Sequence, residues 1–91
     1  MDFKKVYKIV LDERLHHRTG NTLHNRFGNT INELPHSLCI EQNPDAVSEF
    51  YLIHYDQYDG EMGDTLHDSI YEAMEQAEFE FEIKKDEWTK L

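Results

Sequence analysis

The sequence predicts an α+β fold: a four- to five-stranded, mainly antiparallel sheet with one C-terminal helix packed on one face. Three observations carry that expectation. Residues 64–81, DTLHDSIYEAMEQAEFEF, combine a helix cap with a helical apolar stripe. Residues 49–55 are apolar on both faces, as an interior strand is. Asp59-Gly60 then supplies a hairpin signal between the two.

In chain order, residues 3–11 alternate loosely. Phe3, Tyr7, Ile9 and Leu11 fall on one side and Lys4, Val6, Lys8 and Val10 on the other, which suits a first strand with one face buried. After Asp12 the chain turns polar, and a short repeat follows, RTGNTLHN (18–25) and RFGNTINE (26–33). A period of eight is too short for a solenoid unit. It suits two turn-plus-strand segments in which Gly-Asn supplies positive φ and Thr-Leu or Thr-Ile enters an extended run. A ligand-binding glycine loop is the competing reading, but the spacing matches neither a phosphate loop nor a dinucleotide fingerprint. Leu34-Pro35 interrupts the pattern, and SLCIE (37–41) reads as a short strand before the turn at Asn43-Pro44-Asp45. In the next strand Phe50, Leu52 and His54 oppose Tyr51, Ile53 and Tyr55. The Asp59-Gly60 turn returns the chain through residues 61–66 as its neighbour.

The helix is expected over residues 69–82. Ser69 and Glu72 fit a capping box, and Ile70, Ala73, Met74, Ala77 and Phe81 recur at spacings of three and four, so they share one stripe. Glu72, Glu75, Gln76, Glu78 and Glu82 lie elsewhere on the wheel. Phe79 also leaves the stripe and stands among the glutamates, either covered by another segment or presented to a partner. A period-two strand over EFEFEI (78–83) competes, but the cap and the stripe agree over a longer window. The tail carries Trp88, which is expected to fold back over Phe79.

With 91 residues the chain suits one small domain with a modest core. No apolar run approaches the ~20 residues of a membrane span, and the first residues reach acids before a signal-peptide core could form, so a cytoplasmic protein is expected. The single cysteine, Cys39, excludes an internal disulfide and reads as a small buried hydrophobe rather than a reactive thiol. The formal charge of −10 is uneven: residues 1–47 hold six bases and six acids, and residues 48–91 hold thirteen acids and three lysines. Such a field serves solubility, repels nucleic acid and anionic membrane, and speeds encounter with a basic partner.

Six histidines invite a metal reading, yet there is no H-E-x-x-H, no C-x-x-C and no histidine pair at i and i+4 in the helix. His67 and Asp68 suit turn and cap donors better than ligands. His54 reads as a buried histidine with a hydrogen-bond partner, because no nucleophile motif accompanies it. Neither catalytic residues nor a cofactor or metal site is expected.

Three blocks, RTGNTLH (18–24), FYLIHYDQYDGE (50–61) and residues 64–81, resemble those of a set of small, acidic bacterial proteins, some of which are similar to immunity proteins of polymorphic or contact-dependent toxin systems. The resemblance spans about two thirds of the chain, and the last block is its specific part. A glycine expected after that block is Glu82 here. The resemblance implies a non-enzymatic inhibitor of a basic toxin domain such as a nuclease.

The residues themselves point to an acidic aromatic surface, since eight of the eleven aromatics fall in the acidic half. The partner-binding set comprises Asp56, Tyr58, Asp59 and Glu61 of the hairpin with Tyr71, Glu72, Glu75, Phe79 and Glu82 of the helix. A module that self-associates through its sheet is the alternative, and a dimer is compatible with either reading.

Overall fold

The computed structural model describes residues 3–19, 24–26, 29–31 and 34–91. Among these the elements are β1 (Lys4–Val10), β2 (His24–Arg26), β3 (Asn29–Ile31), β4 (Ser37–Asn43), β5 (Ala46–Tyr55), β6 (Glu61–His67), α1 (Ile70–Phe81), a 3-10 turn (Lys85–Glu87) and β7 (Thr89–Lys90). Five strands form one antiparallel sheet in the order β6-β5-β4-β1-β7, and α1 packs on β5 and β6, so the fold is α+β. β2 and β3 pair separately. The second half of the eight-residue repeat thus enters a strand at Thr30-Ile31, whereas the Gly20-Asn21 and Gly28 turn positions lie outside the described residues. No helix among the described residues is long and apolar enough to cross a membrane.

Alternation explains the two sides of the sheet. Ile9, Leu11, Leu38, Ile40 and Leu52 face α1 and meet Ala73, Met74, Ala77 and Phe81, with Ile83 and Trp88 closing the cluster. Full burial of a residue such as Leu52 or Phe81, both 0% exposed, stabilises by ~1.5–3 kcal/mol. On the opposite side Cys39, Ile53 and Tyr55 form a smaller cluster with Tyr51. There the Tyr55 hydroxyl donates to the buried Glu41 carboxylate. Burial, then this bond, pushes the Tyr55 phenol well above its ordinary value. Burial also pushes the Cys39 thiol up, away from the thiolate that reactivity requires.

Three details differ from the pattern in the sequence. The β1 register shifts between Lys5 and Tyr7, so Phe3 does not share the side of Tyr7; it stacks on Tyr51 at 5.1 Å. The β5–β6 connection is a five-residue loop, because Tyr55 pairs with Glu61. Asp56 builds that loop: its Oδ1 accepts from the N–H groups of Tyr58 and Gly60, both at 2.8 Å, and Asp59 takes a left-handed φ of 63°. A Cβ on Gly60 would stand 2.8 Å from the Asp56 carboxylate, which explains the glycine. Finally, the tail does not lie over Phe79 as a lid. Trp88 enters the main core, Thr89 and Lys90 pair with β1, and Phe79 stays 51% exposed.

Candidate functional site

α1 is held at both ends by side chains the sequence places there. Ser69 Oγ accepts from the Glu72 N–H at 3.0 Å, and Glu72 reaches back to the Asp68 N–H at 3.1 Å, one residue earlier than the usual box. The helix ends where Glu82 takes a left-handed conformation (φ 58°) and donates its N–H to the Glu78 carbonyl at 2.8 Å. Glycine adopts that conformation without the Cβ cost, so Glu82 closes the helix under mild strain.

The outward stripe of α1 carries Tyr71, Glu72, Glu75, Phe79 and Glu82, all exposed. Tyr71 is 60% and Phe79 51% accessible. Among the described residues, bases approach this stripe at its ends. Lys85 Nζ lies 4.4 Å above the Tyr71 ring, Lys84 pairs with Glu78 at 3.2 Å, and His17 Nε2 approaches Glu82 at 3.8 Å. Glu75 is exposed, and its charge is directed to solvent.

The hairpin residues divide. Tyr58, 83% exposed, and Asp59 project from the loop tip, whereas the Asp56 carboxylate is occupied by the loop's own amides. Glu61 pairs with Tyr55, whose hydroxyl marks the side of the sheet away from α1. The nine residues read from the sequence therefore occupy two supports, the outer stripe of α1 and the β5–β6 loop, and Glu61 faces away from the first. A cavity of about 550 Å³ beside the loop is lined by Leu11, Leu34, Pro35, His36 and Met62 with Glu13, Asp56, Gln57 and Tyr58.

Beneath the outer stripe lies a buried polar group. Glu80 is 2% exposed and His54 1%, with His54 Nε2 3.6 Å from a Glu80 carboxylate oxygen. Gln76 donates to the same oxygen at 3.2 Å, and Phe81 meets the His54 ring edge-on at 5.4 Å. The start of the repeat crosses this end of the helix. Thr19 donates its N–H to the Glu80 carbonyl at 2.8 Å and its hydroxyl to the Phe79 carbonyl at 2.6 Å, while Arg18 lies 5.2 Å over Phe81. Burial lowers the Arg18 pKa, partly offset by Glu80. His67, lowered chiefly by burial and pulled back by Glu72 and Glu80, bonds Thr65 at 2.7 Å.

The expectation of a buried His54 holds, and its Nε2 stands at ion-pair rather than hydrogen-bond distance from Glu80, a glutamate that the charge pattern alone had not separated from those at the surface. A signal existed: Ala73, Ala77 and Glu80 are spaced by four and three, which puts Glu80 on the core stripe. Both side chains are too enclosed to touch a substrate in this conformation. Among the described residues no group of three or more His, Cys, Asp or Glu side chains could hold a metal ion. No family model, no curated protein and no solved structure matches the chain.

Proposed function

We propose that the protein is a non-enzymatic binding protein of the cytoplasm that captures a basic protein partner, most concretely a toxin domain such as a nuclease, on the outer stripe of α1. The observation that carries this reading is the placement of two half-exposed rings, Tyr71 and Phe79, among Glu72, Glu75 and Glu82. Leaving large rings in water costs free energy that a partner recovers, and desolvated aromatics within a ring of charge are the usual composition of an interface hot spot. The surrounding carboxylates raise the rate at which a basic surface arrives. Tyr71 already holds an ammonium, that of Lys85, at 4.4 Å, which illustrates the affinity of this face for cations. The resemblance of three sequence blocks to small acidic bacterial proteins, some of them similar to immunity proteins, supports the same reading.

The reading expects a toxin gene directly upstream, and the test is binding kinetics with the domain encoded there. Glu75→Lys is the cleaner charge reversal, because Glu72 also caps the helix. It should slow association about tenfold and weaken the dependence on salt. Phe79→Ala should leave association intact and speed dissociation roughly thirtyfold, the equivalent of ~2 kcal/mol. Unchanged rates in both variants would remove α1 from the interface.

A further inference from the structure

The geometry points to a second binding surface, the outer edge of β6, which takes an extended basic segment of another protein as an added strand of the sheet. It stands apart from the α1 stripe and does not rest on it. β6 ends the order β6-β5-β4-β1-β7, and among the described residues no strand pairs with its outer side. Alternation along the strands says which of its main-chain groups are open. The Tyr55 carbonyl accepts from the His36 N–H at 2.8 Å, on the β4 side of β5, so the alternate residues His54 and Leu52 turn their N–H and C=O groups to β6, where they meet Gly63 and Thr65. Asp64 and Leu66 therefore turn theirs outward. Among the described residues nothing pairs with those groups, and such a row is the template that an added strand uses. β6 carries neither lysine nor proline, the residues that commonly blunt an edge. The two side chains are open as well: Asp64 and Leu66 are exposed, Leu66 at 55%, and they lie with Ile53 and Tyr51 on the side of the sheet away from α1.

Charge selects the occupant. From residue 48 to residue 83 there is no lysine or arginine, and Glu61, Asp64 and Asp68 are exposed along and just beyond β6. A second copy of β6 fits poorly. Antiparallel pairing of two such edges about a two-fold axis sets Asp64 opposite Asp64, Leu66 or Asp68, so every register leaves the carboxylate without a cation. Antiparallel is the direction of every other pairing in this sheet, and it defines what the incoming segment must carry. Read from its amino end, the segment is apolar-x-lysine or apolar-x-arginine, with the apolar side chain opposite Leu66 and the cation, two residues on, opposite Asp64. Directly opposed side chains stand about 4.5–5.5 Å apart at Cβ, close enough for both contacts. Main-chain bonds then supply the affinity and these two positions the selectivity.

Nuclear magnetic resonance titration of the isotope-labelled full chain tests this, with a capped peptide of sequence Thr-Val-Thr-Lys-Thr as the probe. The peptide should bind saturably, with shifts centred on the Asp64 and Leu66 amides. A peptide with glutamate in place of the lysine should bind about tenfold more weakly, because an attractive cross-strand pair becomes a repulsive one. Asp64→Lys should invert that preference, which separates recognition by the edge from lost folding. Methylating the valine and lysine nitrogens of the peptide should abolish binding, since those two N–H groups are the ones that pair with β6. Absent or unsaturable binding, equal affinity for the two peptides, an unchanged preference in Asp64→Lys, or binding that survives methylation would each overturn the proposal. So would shifts at Asp64 and Leu66 that follow protein concentration without peptide, because the edge would then belong to a second copy.

Discussion

Phe79 and Phe81 stand two residues apart on one helix, yet Phe81 is 0% exposed against His54 while Phe79 is 51% exposed among glutamates. The glutamates show the converse: Glu78 pairs with Lys84 at the surface, and Glu80 lies buried beside His54 and Gln76. Residue type therefore does not assign the two faces of α1. A step of two residues turns the helix by about 200°, and that phase decides which chain is covered. The inner face holds one acid, Glu80, and the outer face two rings, Tyr71 and Phe79, and such exceptions concentrate where binding or a buried network overrides the pattern.

The sharpest way to test this contrast is to shorten both rings. Phe81→Ala should cost ~3–5 kcal/mol of stability, as for a fully enclosed phenylalanine, and Phe79→Ala only about 1 kcal/mol, read as the difference between their denaturation midpoints. Equal losses would mean that the outer ring is core and would exclude it as an anchor. Glu80→Ala comes next. It leaves Gln76 without its acceptor and His54 without the carboxylate beside it, and should cost roughly 1–3 kcal/mol by urea denaturation, whereas Glu75→Ala on the outer stripe should change stability by less than ~0.5 kcal/mol.

Glu82→Gly sharpens the comparison in the other direction. It removes a Cβ from a left-handed position and should stabilise the chain by ~0.5–1 kcal/mol, visible as a higher melting temperature. The smallest effect concerns pH. The bond from His16 Nε2 at 2.9 Å, then that from the Lys84 N–H, holds Glu87 below its usual carboxylate range. A depressed folded value contributes stability that is full above the ordinary carboxylate pKa and is lost as pH falls through the depressed one. Glu87→Gln should flatten the acid limb of the stability profile by lowering stability above the ordinary carboxylate pKa, while leaving the most acid region nearly unchanged.

What was legible in the sequence followed from local periodicity. The helix appears at Ile70–Phe81 with Ser69 and Glu82 as its caps, inside the expected 69–82, and the strand reading of EFEFEI fails because Phe79 and Phe81 part company. β5 is an interior strand with both sides covered along residues 52–55, as its double apolar face implies. Features set by pairing between distant strands were not legible. Nothing local marks the shift at Lys5/Tyr7 that moves Phe3 to the other side, or the hydrogen bond that a tyrosine fourteen positions away donates to Glu41. The candidate surface was half legible: the outward stripe of α1 follows from helical phase, but the side on which Glu61 falls depends on its pairing with Tyr55. Trp88 was misplaced for the same reason, since the pairing of β7 with β1 draws the tail under the core rather than over Phe79.

The crossing of Thr19 over the last turn of α1 has a kinetic consequence. Helix ends leave carbonyls unsatisfied, and here those of Phe79 and Glu80 are met by a residue sixty positions earlier in the chain. Closing so long a loop costs entropy before any contact repays it, whereas the cap at Ser69 closes within one turn. The helix should thus form from its first turn, and its final turn should complete only after the sheet has brought the amino-terminal segment alongside. In the native state this makes the Thr19 clasp a unit that opens and recloses together with the end of α1. Its amide should exchange with solvent hydrogen in step with that of Glu82, and faster than the amides of β4 at the centre of the sheet.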